Sequence, residues 1–204
     1  AKTKTLNLNS NDIKEFNKII NNFGIDRLIN IYPAPDNKTV VSYYDPEYLD
    51  ALLRVRAFIE TIDNNKIRSL FFLAYLARIE DFSTHRKAGN GVKRKTNSDY
   101  NNNLTAIESV KISMKNILNQ YIEDIQTFQL VNTPSFINKS CLDSNSYQNI
   151  QQISNVITSP PYANCFDYSK IYLRELWFGD FFKTIADHKQ FRNLSVRSHV
   201  HATW

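Results

Sequence analysis

The sequence predicts an α/β protein in which a helix-rich portion, residues 1–130, precedes a shorter portion, residues 131–204, of alternating strands and helices. Apolar residues recur at helical spacing through most of the first portion. After Pro134, short apolar and β-branched segments alternate with turns, which is typical of strands. With 42% hydrophobic residues in a chain of 204, the protein is large and apolar enough to form one good core.

Helix signals are clearest in the first portion. Asp45 is a capping carboxylate, and Pro46 stands at the first helical position, so a strong helix start is predicted there. Residues 66–80 are apolar almost all round, which predicts a buried helix. The predicted helices lie between Ser10 and Gly24 and over 46–62, 66–80 and 104–127, and residues 25–32 are predicted to form a short strand.

The second portion is predicted to contain two short strands and a helix. One strand begins at Phe136 and ends at Asp143. The other, Val156-Ile157-Thr158, is β-branched and is expected to be buried, and the two prolines that follow must end it. Residues 167–182 again show helical spacing. Their aromatic residues are expected to pack rather than to stack on bases: Tyr168, Tyr172, Trp177, Phe181 and Phe182.

Several classes of protein are disfavoured. No segment approaches the roughly 20 consecutive apolar residues of a membrane span, and the N-terminus lacks the layout of a secretory signal, so we expect a cytoplasmic protein. Cys141 and Cys165 are expected to be reduced thiols. The histidines show no metal-ligand spacing beyond His199-x-His201, so no metal site is predicted.

The segment that carries chemistry is Thr158-Ser159-Pro160-Pro161-Tyr162, directly after a predicted strand. It resembles the target-base motif of S-adenosylmethionine-dependent exocyclic-amino DNA methyltransferases. The resemblance implies a Rossmann-like fold, S-adenosyl-L-methionine as cofactor and double-stranded DNA as partner. It also implies transfer of a methyl group to an exocyclic amine of a flipped base. Ser159 favours N4 of cytosine over N6 of adenine as the acceptor.

The residue types of this motif suit that chemistry. A base must leave the stack before an enzyme can act on its ring substituents. Two prolines form a stiff turn without N–H donors, so that Ser159 and the Pro160 carbonyl can accept hydrogen bonds from the exocyclic amine. Pro161 completes the turn, and Tyr162 would stack on the base, a contact worth about 1–3 kcal/mol.

The resemblance extends to both sides of the motif. Upstream, Asp143 matches the acidic residue that contacts the adenosine part of the cofactor, although the glycine usually before it is Leu142 here. Thr158 is assigned to the cofactor site with it. Downstream, the run from Asn164 through Trp177 resembles the segment after the motif in bacterial modification methylases.

The glycine-rich cofactor turn of this fold is missing. The chain has four glycines, and only Gly89 and Gly91 are close together, in a basic stretch that follows a helix rather than a strand. We therefore expect the chain, which begins at Ala1, to be part of a longer enzyme or one partner of a split enzyme. A complementary polypeptide would then carry the cofactor loop, and the isolated chain would have little or no turnover.

The basic stretch, residues 85–95, is predicted to be a glycine-containing loop that clamps the DNA backbone, because lysine and arginine bind phosphate without reading sequence. The candidate contacts are Arg86, Lys87, Lys93, Arg94 and Lys95. An ordinary solvated loop remains the alternative for this stretch. For the whole chain, the alternatives are a non-catalytic nucleic-acid-binding or assembly subunit, and an RNA amino-methyltransferase.

Overall fold

A computed structural model of the chain describes residues 2–89, 91–96, 104–128, 134–137, 139, 143–148, 150, 152–158 and 167–194. The fold is mostly helical. The elements are α1 (Ser10–Asn21), α2 (Lys38–Val41), α3 (Pro46–Glu60), α4 (Asn65–Arg78), β1 (His85–Ala88), β2 (Gly91–Arg94), α5 (Ala106–Thr127), α6 (Tyr168–Ile171), α7 (Leu173–Phe178) and α8 (Ile185–Leu194). Short 3₁₀ helices cover Lys2–Thr5, Ile25–Arg27 and Ser144–Tyr147.

The long helices follow the prediction closely. Helix α3 starts at Pro46, α4 and α5 lie within two residues of the predicted bounds, and these three predictions are confirmed. Helix α5 begins with a reciprocal cap, in which Thr105 accepts from the Glu108 backbone and the Glu108 carboxylate accepts from the Thr105 backbone. Local caps and helical spacing therefore determine this part of the fold.

Helix α1 is held to α4 by a capping residue. The Asp12 carboxylate accepts from the Asn9 backbone at 3.0 Å and from the Lys66 ammonium at 2.8 Å, and Asn64 donates to its other oxygen. These hydrogen bonds, those from Lys66 first, lower the pKa of Asp12 to about 2. The ionised carboxylate is thus part of the contact between the two helices.

One buried core joins the two ends of the chain. Phe71 of α4 is fully buried among aromatic rings of the N-terminal region, with Phe16 and Phe23 about 6.0 and 5.9 Å away by ring centroids. Trp177 and Phe178 of α7 are part of the same buried cluster. The predicted boundary at residue 130 lies among residues outside the described part and stays a prediction, but helices from both sides of it share this core.

The predicted strands of the α/β fold are not formed where the structure describes them. Residues 25–32 begin with the 3₁₀ helix Ile25–Arg27, and residues 152–158 have no regular secondary structure. Val156 and Ile157 are 76% and 99% exposed, so the expectation of a buried strand was wrong. A β-branched run forms a strand only against a partner, and the one sheet in the described residues consists of β1 and β2.

The basic stretch is not a loop but this hairpin. Strands β1 and β2 pair antiparallel around Gly89, whose φ of +53° is a conformation that glycine adopts without strain. The C-terminal helix also differs from its prediction, because Tyr172 interrupts it between α6 and α7. Helices α2 and α8 were not predicted.

Candidate nucleic-acid interface

The register of the hairpin divides its basic residues between two faces. His85 pairs with Arg94 and Lys87 with Val92, so these four side chains lie on one face. Arg86 pairs with Lys93, and their side chains lie together on the opposite face. A single stretch of sequence therefore has two environments.

The side chain of Lys87 forms ion pairs within the protein. Its ammonium pairs with the Glu175 carboxylate and lies 3.2 Å from Oε2 of Glu80, while its backbone N–H donates to Oε1 of Glu80 at 2.8 Å. Burial alone would lower the pKa of Lys87, but hydrogen bonds and charge from Glu175, then Glu80, outweigh it and raise the pKa. The charge of Lys87 is thus balanced by two carboxylates.

Arg174 of α7 completes this cluster and is 1% exposed. Its Nη1 donates to the His85 carbonyl at 2.6 Å and to the Ser83 hydroxyl at 3.1 Å, and its Nη2 lies 3.1 Å from Glu80 Oε2. In the Glu80–Lys87–Arg174–Glu175 cluster, Arg174 is buried and the other three side chains are half-buried, and the cluster fixes the base of the hairpin to α7. Sequence patterns do not reveal this cluster, because an isolated arginine in a helix gives no signal of burial.

Lys95 is also turned towards the protein. Its ammonium donates to the backbone carbonyls of Glu80 and Asp81 at 3.0 and 2.9 Å. These carbonyls follow the C-terminus of α4, where cations are favoured. Lys87 and Lys95 therefore serve the fold, which argues against the prediction that they contact DNA phosphates.

Arg86, Lys93 and Arg94 are exposed, and no carboxylate partner is found for them among the described residues. Arg86 and Lys93 are direct cross-strand neighbours. Two like charges in this position destabilise the pairing of the strands. The pKa of His85 is lowered, first by burial and then by the charges of Arg94 and Arg174. Arg94 therefore lies close to His85. An anion would relieve this repulsion.

Helix α6, which follows residues 158–162 in the chain, lies next to these cations. It begins at Tyr168 and packs against β2. The ring of Tyr172, the residue that follows α6, lies over Lys87, with the ammonium 4.4 Å from its centroid. The hairpin and the segment that follows the motif therefore form one surface.

The proposed base pocket itself lies outside the described residues, since these omit Ser159, Pro160, Pro161 and Tyr162. Thr158 is described and is exposed at the end of the irregular segment 152–158. The assigned roles of these residues stay predictions.

Asp143 does not follow the predicted geometry. It caps the 3₁₀ helix Ser144–Tyr147, and its carboxylate accepts from the Asn145 backbone at 2.9 Å. The predicted strand is absent at residues 134–137, and residues 140–142 lie outside the described part. The side chain is exposed, and its contact with a cofactor stays a prediction.

A polar cluster anchors the start of α6. Ser169 donates from its hydroxyl to Asp167 at 2.6 Å, and Nε2 of His188 lies 3.0 Å from the same hydroxyl oxygen. Because the single hydroxyl proton goes to Asp167, Nε2 of His188 must be the donor in its contact. The histidine therefore cannot take the serine proton as a general base in this arrangement, so the cluster is an anchor and not a hydrolytic triad.

Comparison with protein families, with curated proteins and with solved structures finds no match for the chain. In the part of the chain that the structure describes, no helix is both long and apolar enough to cross a membrane.

Proposed function

We propose that the chain is a portion or subunit of an exocyclic-amino DNA methyltransferase of the Rossmann-like class. The observation that carries the proposal is the segment Thr158-Ser159-Pro160-Pro161-Tyr162 with the aromatic run that follows it. In this proposal Ser159, Pro160 and Tyr162 hold a flipped base, and S-adenosyl-L-methionine donates the methyl group. The acceptor is an amine of DNA, with N4 of cytosine favoured.

Two structural observations support the proposal. The exposed cations of the hairpin lie on an element that packs against α6, the helix that follows the motif. The segment before the motif exposes Ile153, Val156 and Ile157, which are 60%, 76% and 99% exposed. Such a β-branched segment is suited to pair with a strand of a larger sheet, as the proposed fold requires.

The chain needs the cofactor loop from elsewhere. Gly89 and Gly91 belong to the turn and second strand of the hairpin, so they do not form a turn between a strand and a helix. In the proposed enzyme, a complementary polypeptide or a further segment supplies a Phe-x-Gly-x-Gly turn. This chain then supplies the base-binding residues and the backbone contacts.

The test combines the chain with a polypeptide that carries a Phe-x-Gly-x-Gly turn and measures transfer of labelled methyl groups to duplex DNA. Tyr162→Ala should reduce transfer by about 5- to 150-fold, the value of one stacked base. Tyr147→Ala is the matched control, because Tyr147 is a half-exposed tyrosine outside the motif. Equal transfer by the Tyr162→Ala variant and the wild type would contradict the proposed pocket.

A second candidate is a non-catalytic nucleic-acid-binding subunit. The observation that favours it is the position of Gly89 and Gly91, the only two glycines close together in the sequence. They lie in the hairpin and so are not available for a cofactor turn. The same assay separates the two functions. DNA binding without methyl transfer, with the cofactor turn supplied, would identify the binding subunit.

A further inference from the structure

Two tyrosines beside the hairpin are not part of the core. Tyr168 and Tyr172 are 44% and 45% exposed, whereas Trp177 and Phe182 from the same aromatic run are 1% and 4% exposed. The expected packing face is thus confirmed for Trp177 and Phe182 and wrong for the two tyrosines and for Phe181, which is 61% exposed. Nearly half of the surface of each tyrosine is therefore accessible to solvent.

The two rings form an ordered pair. They lie one helical turn apart, their planes differ by 9°, and their centroids are 6.5 Å apart. Lys87 lies over Tyr172, and Lys87 is itself held by Glu175 and Glu80. The Tyr172 ring is therefore supported by a cation–π contact whose cation is fixed in place. A platform fixed in this way loses little conformational entropy when a ligand stacks on it.

Positive charge lies beside this platform. Arg94 is exposed on β2, the strand against which α6 packs, and it shares a hairpin face with Lys87. Arg86 and Lys93 add two exposed cations on the other face of the same two strands. Exposed aromatic rings next to exposed cations match a ligand that has planar groups along an anionic chain.

We propose that Tyr168 and Tyr172, together with the exposed cations of the hairpin, form a binding surface for a single-stranded polynucleotide. Bases stack on the tyrosines, and neighbouring phosphates contact Arg94 and then Arg86 and Lys93. A duplex does not fit this chemistry, because its base faces are stacked on one another and only its backbone and groove edges are accessible. The inference shares the hairpin with the proposed function but does not require methyl transfer.

The test measures the binding of fluorescein-labelled oligodeoxythymidine by fluorescence anisotropy. A variant with Tyr168→Leu and Tyr172→Leu should bind about 5- to 150-fold more weakly for each stacked base that is lost. The variant with Tyr168→Phe and Tyr172→Phe keeps both rings and should bind like the wild type. Phe128→Leu removes an aromatic side chain that is 74% exposed at the end of α5, and it should leave binding unchanged.

A second measurement needs no substitution. Oligonucleotides that contain 5-iodouracil, crosslinked by light to the wild-type chain, should yield peptides modified at Tyr168 or Tyr172. The proposal is overturned if crosslinks map elsewhere or if the leucine variant, shown to be folded by circular dichroism, keeps full affinity. Displacement of the oligonucleotide by polyglutamate as readily as by unlabelled oligonucleotide would also overturn it.

Further measurements distinguish this binding surface from the proposed enzymatic function. Oligodeoxythymidine and oligouridine should both bind, since the stacking and phosphate contacts do not involve the 2′-hydroxyl. Exclusive binding of duplex DNA would contradict the inference. If oligonucleotide binding depends on the tyrosines while methyl transfer fails in the complemented assay, the inference stands and the proposed function fails.

Discussion

The guanidinium of Arg174 donates to the carbonyl oxygen of His85 at 2.6 Å and so attaches the first residue of the hairpin to a buried helix. This contact explains how a short two-stranded hairpin, which is marginal on its own in water, keeps a defined position. It also places the exposed cations at a fixed distance from α6.

Removal of the Arg174 charge should destabilise the protein strongly. Arg174→Met leaves Glu80 with only Lys87 as a partner and breaks two hydrogen bonds to Ser83 and His85. The loss should cost about 3 kcal/mol, the lower end of the range for buried ion pairs, because Glu80 is 25% exposed and keeps Lys87, and urea unfolding would measure it. Arg27→Met, at a side chain that is 91% exposed, is the control and should change the free energy of unfolding by less than about 0.5 kcal/mol.

The basic residues should separate into two groups in a salt titration of nucleic-acid binding. Arg86→Gln, Lys93→Gln and Arg94→Gln should each reduce the slope of log K against log salt by about 0.7 for a single strand or 0.9 for a duplex. Lys95→Gln should lower stability and leave the slope unchanged, because its ammonium binds backbone carbonyls. A similar slope change in all four variants would show that the inward and outward positions are not distinct.

Stability in acid should depend on Asp12. Its pKa is lowered to about 2, below the unfolded value of 3.8, so its contribution is present above that value and is lost as the pH falls towards 2. Asp12→Asn should therefore lose stability near neutral pH and show a smaller further decline between about pH 4 and 2. Unfolding by urea across this range tests the prediction, and parallel curves for the two proteins would refute it.

The histidines should produce a second pH dependence at higher pH. Burial lowers the pKa of His188, with Arg192 adding to the effect, and burial followed by Arg94 and Arg174 lowers that of His85. The unfolded chain therefore binds protons first, and stability should fall as the pH drops below the ordinary value of 6.5. Thermal unfolding of a variant with both His85→Gln and His188→Gln should show a flatter dependence in this range.

Glycine substitutions should rank by the space around each residue and by its backbone conformation. A Cβ at Gly179 would lie 2.6 Å from the Phe181 ring and 2.7 Å from the Glu175 carbonyl, so Gly179→Ala should cost about 1–3 kcal/mol. A Cβ at Gly91 meets no described atom within 4 Å, and Gly91→Ala should be tolerated. Gly89→Ala should fall between them, at about 1 kcal/mol, because of its positive φ. Calorimetry of the three variants would establish the order.

The sequence predicted elements that local chemistry determines. Helices α3 and α5 begin at Pro46 and after Thr105, where caps and apolar spacing agree. The prediction of a buried strand at Val156 and Ile157 was wrong, since β-branched residues form a strand only if a partner strand is present. The hairpin could have been predicted, because Gly89-Asn90-Gly91 is a strong turn signal, but the stretch was interpreted as a basic loop that contains glycines.

The candidate site was predicted only in part. The basic residues were identified by composition, but composition cannot show which of them face the protein. Register supplies that information: Lys87 lies on the face that Glu80 and Glu175 occupy, and Arg86 lies on the other. The tyrosines were assigned to one packing face with Trp177. The helix is interrupted at Tyr172, and helical spacing gives no signal of this interruption.

The side-by-side placement of Arg86 and Lys93 has a thermodynamic consequence. Their mutual repulsion opposes hairpin pairing in the free protein and disappears once a polyanion lies between them. Since the hairpin is attached to α7 and through it to the common core, occupancy of its outer face should raise the melting temperature of the whole molecule.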